Sequence, residues 1–164
     1  SAQASIDAQV SITGAYDDAY ASYSGGLVLT DTRLKSLVLQ TNISINKILF
    51  LLIPKQSKAK STIVKEDRRM PISMEKEIIN LLKTGKIEEA TKLNTRFYAP
   101  ILFTNPEIIT DISDICNDII GINGAGPSLF VFCNSKNENS FRRSINESFP
   151  EYQLMKTSLK QIYR

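Results

Sequence analysis

Histidine is absent from the sequence, and cysteine occurs only twice, at Cys116 and Cys133. Protein zinc sites are built largely from those two residue types, usually four ligands at a time, so a zinc centre is nearly excluded. Both cysteines sit in apolar surroundings, the pattern of buried thiols and not of a disulfide framework. Long apolar runs are also missing. A membrane-spanning helix needs about 20 consecutive apolar residues, and the longest run here, Ile48 to Pro54, has the length of a strand. The opening Ser1-Ala2-Gln3-Ala4-Ser5 carries neither a basic segment nor an apolar one, so it does not read as a signal peptide. Excess charge is small: 20 Lys+Arg against 17 Asp+Glu leave +3. That balance is too mild for a nucleic-acid binder, yet it suits an anionic substrate. The expectation is a cytoplasmic protein with no membrane or nucleic-acid partner.

What is present is ordinary globular material. The 164 residues are 42% hydrophobic and 23% charged, enough for one compact domain or two small lobes. Asp17 to Ser24 reads as a short helix with carboxylates in its first turn, ended by Gly25-Gly26. Leu27 to Thr30 and Lys35 to Gln40 read as the strands of a hairpin. Thr41 to Asn46 is a polar connection and a natural lobe boundary. Lys47 to Ile53 is nearly continuous in apolar residues, as expected of a strand buried on both faces. A polar, basic stretch with Lys55, Lys58, Lys60, Lys65, Arg68 and Arg69 follows, either a solvated loop or a lid. Three helices are expected next: one capped by Ser73 and stopped by Gly85, one with Ile87, Ala90, Leu93, Phe97 and Ile101 on a face, and one opened by Asn105-Pro106. The end of the chain reads as Ile119 to Ile122, a glycine-rich turn, a strand from Ser128 to Cys133, a helix presenting Phe141 and Ile145, and a strand from Tyr152 to Lys160. The order after Asn46 fits a ferredoxin-like α+β sandwich.

Two segments could carry chemistry. In Gly121-Ile122-Asn123-Gly124-Ala125-Gly126-Pro127-Ser128, three glycines let the backbone take positive φ and approach a ligand, and successive amides can form a concavity for an anion. The alternative is a tight hairpin without a ligand. It is not a dinucleotide fingerprint, because no helix follows it. In the second segment, Asp17 and Asp18 at a helix start could take a proton from a hydroxyl or help hold magnesium. The alternative there is helix capping.

Order, spacing and flanks of the two segments resemble the galactokinase–homoserine kinase–mevalonate kinase (GHMP) superfamily. Gly121 to Val131 resembles its third motif, a glycine-rich stretch before a core strand. Thr13-Gly14-Ala15-Tyr16-Asp17-Asp18-Ala19, with Gly25-Gly26-Leu27-Val28-Leu29-Thr30-Asp31, is most similar to archaeal-type shikimate kinases; homoserine kinases usually have Asp-Asn at the paired acids. The resemblance implies an α+β fold in which residues 1–45 are the remainder of a ribosomal S5-like N-terminal, ATP-binding lobe, and 46–164 form a ferredoxin-like GHMP kinase C-terminal domain. It implies ATP and Mg2+ as cofactors and shikimate as the acceptor alcohol. Asp17 and Asp18 would be catalytic, with Asp18 also near the metal. Gly121, Asn123, Gly124, Ala125, Gly126 and Ser128 would bind substrate or phosphate. The family's phosphate-wrapping second motif has no counterpart in the sequence. The chain is therefore expected to lack about the N-terminal half of such an enzyme, to hold ATP poorly alone, and to need a further segment or self-association. The rival readings are homoserine kinase or another member of the superfamily and, from a different class, a non-catalytic ferredoxin-like binding module.

Overall fold

The computed structural model describes residues 7, 16–31, 34–43, 47–56, 70–103, 105–116, 119–124, 126–159 and 161–162. Contacts divide the chain into two units, Ser1–Ile45 with Ser158–Arg164, and Asn46–Thr157.

In the first unit, helix α1 (Tyr16–Ser24) is followed by the antiparallel hairpin β1 (Leu27–Asp31) and β2 (Ser36–Thr41). The helix stops where the sequence says it should. Gly25 and Gly26 both have positive φ, 74° and 78°, which any Cβ would resist. The Gly25 amide donates to the Ala21 carbonyl at 2.8 Å, closing the last turn. At Gly26 there is also no room: a Cβ would lie 2.7 Å from both the Thr41 carbonyl oxygen and Ile162 Cγ1. Ile162 belongs to a returning tail that the sequence does not announce. Its amide donates to Asn42 Oδ1 at 2.9 Å, and Gln161 Nε2 donates to the Ile43 carbonyl at 3.3 Å.

The second unit is a four-stranded antiparallel sheet in the order β4 (Ile119–Ile122), β5 (Leu129–Cys133), β3 (Ile48–Pro54), β6 (Tyr152–Thr157). Its helices are α2 (Ile72–Lys83), α3 (Ile87–Leu102), α4 (Ile108–Cys116) and α5 (Glu138–Ser148). Strands β3 and β4 run the same way with β5 inserted between them, the split βαβ arrangement of a ferredoxin-like sandwich. Alternation along the strands sends Phe50 and Leu52 of β3, and Leu129, Val131 and Cys133 of β5, to one face. There they meet Ile112 of α4 and Phe141 and Ile145 of α5. Burying each of these large side chains is worth about 1.5–3 kcal/mol.

Several expectations need correction. Strand β3 is not buried on both faces: Phe50 and Leu52 are fully buried, but Leu49 and Leu51 remain half-exposed. Ser73 does not cap α2, which begins after Pro71 with Ser73 already inside it. The stop at Gly85 is as expected. Lys86 N–H reaches the Leu81 carbonyl and Gly85 N–H the Leu82 carbonyl, the paired bonds of a Schellman motif with glycine at φ 77°. In α3 the buried residues are Ala90, Thr95 and Ala99, whereas Leu93, Phe97 and Ile101 are half-buried. The helix lies close to β4, and close approach favours small side chains over large ones. Asn105 does accept from the Glu107 amide at 3.2 Å, with α4 proper starting at Ile108. Strand β6 ends at Thr157, short of Lys160.

Candidate active site

The glycine-rich segment forms the connection between β4 and β5. Ile122 pairs with Leu129, and the Asn123 amide donates to the Ser128 carbonyl at 2.9 Å, so the sheet ladder extends into the turn. The Gly126 amide then donates to the Asn123 carbonyl at 3.2 Å. Those two bonds consume two of the turn's donors. Among the described residues the Gly124 and Ser128 amides have no acceptor, and they are the donors left to a ligand.

The glycines serve different ends. Gly121 is buried within β4, where a Cβ would collide with the Phe130 ring and come within 2.8 Å of Thr91 Cγ2 on α3. Its visible role is close packing of strand against helix. Gly124 is exposed at φ 60° with nothing within 4 Å of an added Cβ, so its backbone faces open space. Gly126, at φ 67°, sits against Phe103 and Leu102 of α3 and its end. Asn123 is exposed and Ser128 half-buried. Ala125 lies outside the described residues. A short, open turn with positive-φ glycines and spare amides is chemically suited to an anion.

Asp17 and Asp18 occupy the first turn of α1, both exposed. The first amides of a helix lack internal acceptors and carry partial positive charge, so adjacent carboxylates are favoured there. The helix is secured at its other end: Ser24 Oγ donates to the Tyr20 carbonyl at 2.7 Å, and Gln40 Nε2 to the Gly25 carbonyl at 3.1 Å. Tyr16 and Tyr20 are in tilted ring contact at 6.0 Å, and Tyr23 is 84% exposed. The preceding Thr13-Gly14-Ala15 lies outside the described residues.

Of the basic stretch only Lys55 is described, and it is structural: its Nζ donates to the Pro150 carbonyl at 2.6 Å. Lys58, Lys60, Lys65, Arg68 and Arg69 lie outside the described residues. Asn94 of α3 is half-buried. Phe97 and Tyr98 make an edge-on ring contact at 4.9 Å, half-exposed and not in the core. Cys133 is fully buried, and its Sγ donates to the Asn134 carbonyl at 3.4 Å. Among the described residues no group of three or more His, Cys, Asp and Glu side chains could hold a metal by itself, and no helix is long and apolar enough to cross a membrane.

No family model matches the sequence. Individual curated proteins do. The shikimate kinase of Archaeoglobus fulgidus is 34% identical over 153 residues, which cover 92% of this chain and 51% of that protein. The shikimate kinase of Methanocella arvoryzae is 31% identical over 140 residues, 85% of this chain and 48% of the relative. That of Methanobrevibacter smithii is 29% identical over 150 residues, 92% and 50%. The chain thus spans about half the length of the curated relatives it matches. Among solved structures, homoserine kinase from Cytophaga hutchinsonii superposes with a TM-score of 0.62 at 14% identity, over 88% of this chain and 51% of that one. A phosphotransferase related to the CoA biosynthesis pathway gives 0.56 at 16% identity, over 77% and 42%. These two likenesses speak to the fold, a mixed α and β architecture with antiparallel sheets. The chain is homologous to archaeal shikimate kinases over most of its own length and about half of theirs.

Proposed function

We propose that this chain supplies the C-terminal part of an ATP-dependent kinase that phosphorylates the 3-hydroxyl of shikimate. The observation that carries the reading is its likeness to several archaeal shikimate kinases over most of its own length. Residues 1–45 belong, in this reading, to the end of a ribosomal S5-like ATP-binding lobe, and 46–164 to the GHMP kinase C-terminal domain.

Phosphoryl transfer asks the protein mainly for positioning and charge stabilisation. ATP supplies the transferred γ-phosphoryl group. Asp17 orients the acceptor hydroxyl and takes its proton as the oxygen attacks phosphorus. Asp18 offers oxygen ligation of the kind Mg2+ accepts, one or two carboxylates completed by phosphate oxygens and water. An exposed carboxylate at a helix start has the donor chemistry for that, and a dedicated cage of three acids is not needed. The Gly124 and Ser128 amides, with Asn123, Ala125 and Gly126 shaping the turn, face developing negative charge. Gly121 acts through packing, by letting α3 approach β4 beneath the turn.

The rest of the phosphate cradle comes from a segment equivalent to the other half of the relatives, on the same or another polypeptide, or through self-association. Supporting a completed sheet, the β1–β2 hairpin is two-stranded among the described residues and exposes Leu37 and Val38, 39% and 41% accessible. In a protein carrying both halves, Asp17→Asn lowers kcat for shikimate-dependent ADP release by about 100-fold or more, the usual contribution of a positioned base, while KM for shikimate changes little. Unimpaired turnover would place the base elsewhere.

A further inference from the structure

A groove of about 290 Å3 lies between α3 and α4, over β4. It contains none of the residues assigned to phosphoryl transfer. Its lining includes the apolar Ala99, Ile109 and Ile120 together with the hydroxyl-bearing Thr95 and Ser113. Thr95 is only 3% exposed, yet among the described residues its Oγ1 has one long contact, 3.5 Å to the Ile120 carbonyl. A buried hydroxyl ordinarily finds better partners than that.

Two cations of α3 line the same groove, and they differ. Lys92 is engaged, its Nζ 2.8 Å from Glu88 Oε1. Arg96 has no ion-pair or hydrogen-bond partner among the described residues. One free guanidinium beside an apolar lining is a selective combination. Its planar fork matches the two oxygens of a carboxylate. The Glu88 carboxylate beside Lys92 works against a more highly charged anion such as phosphate. The volume admits a small organic molecule and lies near the lower end for ligand pockets.

We propose that the α3–α4 groove binds a small organic monocarboxylate with an apolar body. The carboxylate pairs with Arg96, the body covers Ala99, Ile109 and Ile120, and the Thr95 and Ser113 hydroxyls fix its orientation. The site is separate from the kinase chemistry proposed above and does not depend on it.

The test is a titration followed by amide NMR spectra of the isotopically labelled protein. Benzoate is the probe, benzyl alcohol its uncharged counterpart, and inorganic phosphate the control for a generic anion effect. Benzoate is expected to give saturable shifts at Thr95, Ser113 and Ile120. Arg96→Gln should weaken it about tenfold or more, the effect of losing one charge-assisted pair, while leaving the weak binding of benzyl alcohol unchanged. Arg96 is exposed, so the variant should keep its spectrum elsewhere. Ser113→Phe, which fills the groove from the opposite wall, should abolish the shifts. Absence of saturable shifts at the groove, equal affinity in Arg96→Gln, or shifts centred on Gly124 and Ser128 would each overturn the proposal.

Discussion

Single residues show best how one amino acid type serves unlike purposes within a few positions. Gly121 and Gly124 lie three apart, and only the first is pressed against its neighbours. Adding a methyl group at Gly121 drives it into Phe130 and Thr91, and overpacking of this kind costs about 1–3 kcal/mol. At Gly124 the methyl group meets nothing, so the cost is the left-handed backbone alone, about 1–2 kcal/mol. Urea unfolding should therefore show Gly121→Ala as a packing defect relieved by trimming Phe130, for example in the double variant Gly121→Ala/Phe130→Leu. Gly124→Ala should show no such rescue. In turnover the ranking reverses: Gly124→Ala should impair phosphoryl transfer beyond its effect on stability, because relief of the left-handed backbone re-aims an amide that has no acceptor among the described residues. The sequence displays three glycines in one stretch and cannot separate these roles. The difference depends on which neighbours from α3 and β5 come close.

Among the elements, the helix-to-strand join at α5 and β6 is held electrostatically. Glu138 accepts from Arg142 Nε one turn along α5 at 3.0 Å and from Lys156 Nζ on β6 at 2.8 Å. Arg142 also lies over the Phe50 ring, 4.8 Å from its centroid. The hydrogen bond from Lys156, and then that from Arg142, hold the Glu138 carboxyl below the usual glutamate value. A depressed folded-state pKa means that the stabilisation is present above the ordinary value, near 4.5, and is lost as pH falls through the lower folded-state value. Denaturation midpoints of the protein and of Glu138→Gln should differ at neutral pH and converge in acid, as pH falls through the lowered folded-state value. A constant difference would show that the cluster does not carry the effect. Element order was readable from the sequence because apolar strands alternate with clear breakers, Gly25-Gly26, Gly85 and the turn at Asn123 to Gly126. The buried face of α3 was not. Its large residues, Leu93, Phe97 and Ile101, suggest the core stripe, whereas contact with a strand favours Ala90, Thr95 and Ala99. Nor does Arg96 announce a groove, since a charge on an exposed helix usually marks a solvated face.

At the scale of the whole molecule, the described chain forms two units, one built on a short helix and hairpin, the other on a ferredoxin-like sheet. Both candidate segments were visible in the sequence because glycine and paired acids stand out in a chain otherwise rich in aliphatic residues. The return of Gln161 and Ile162 to Asn42 and Ile43 was not visible, because it rests on single hydrogen bonds from unpatterned residues. The central claim is an acceptor alcohol. It is tested most directly by supplying ATP and Mg2+ with either shikimate or homoserine to the protein carrying both halves, and following the phosphorylated product by phosphorus NMR. A new phosphate ester that forms with shikimate and is far slower with homoserine is the predicted result. An ester formed with homoserine in preference to shikimate would contradict the account, and so would the absence of any ester from a protein shown to bind ATP.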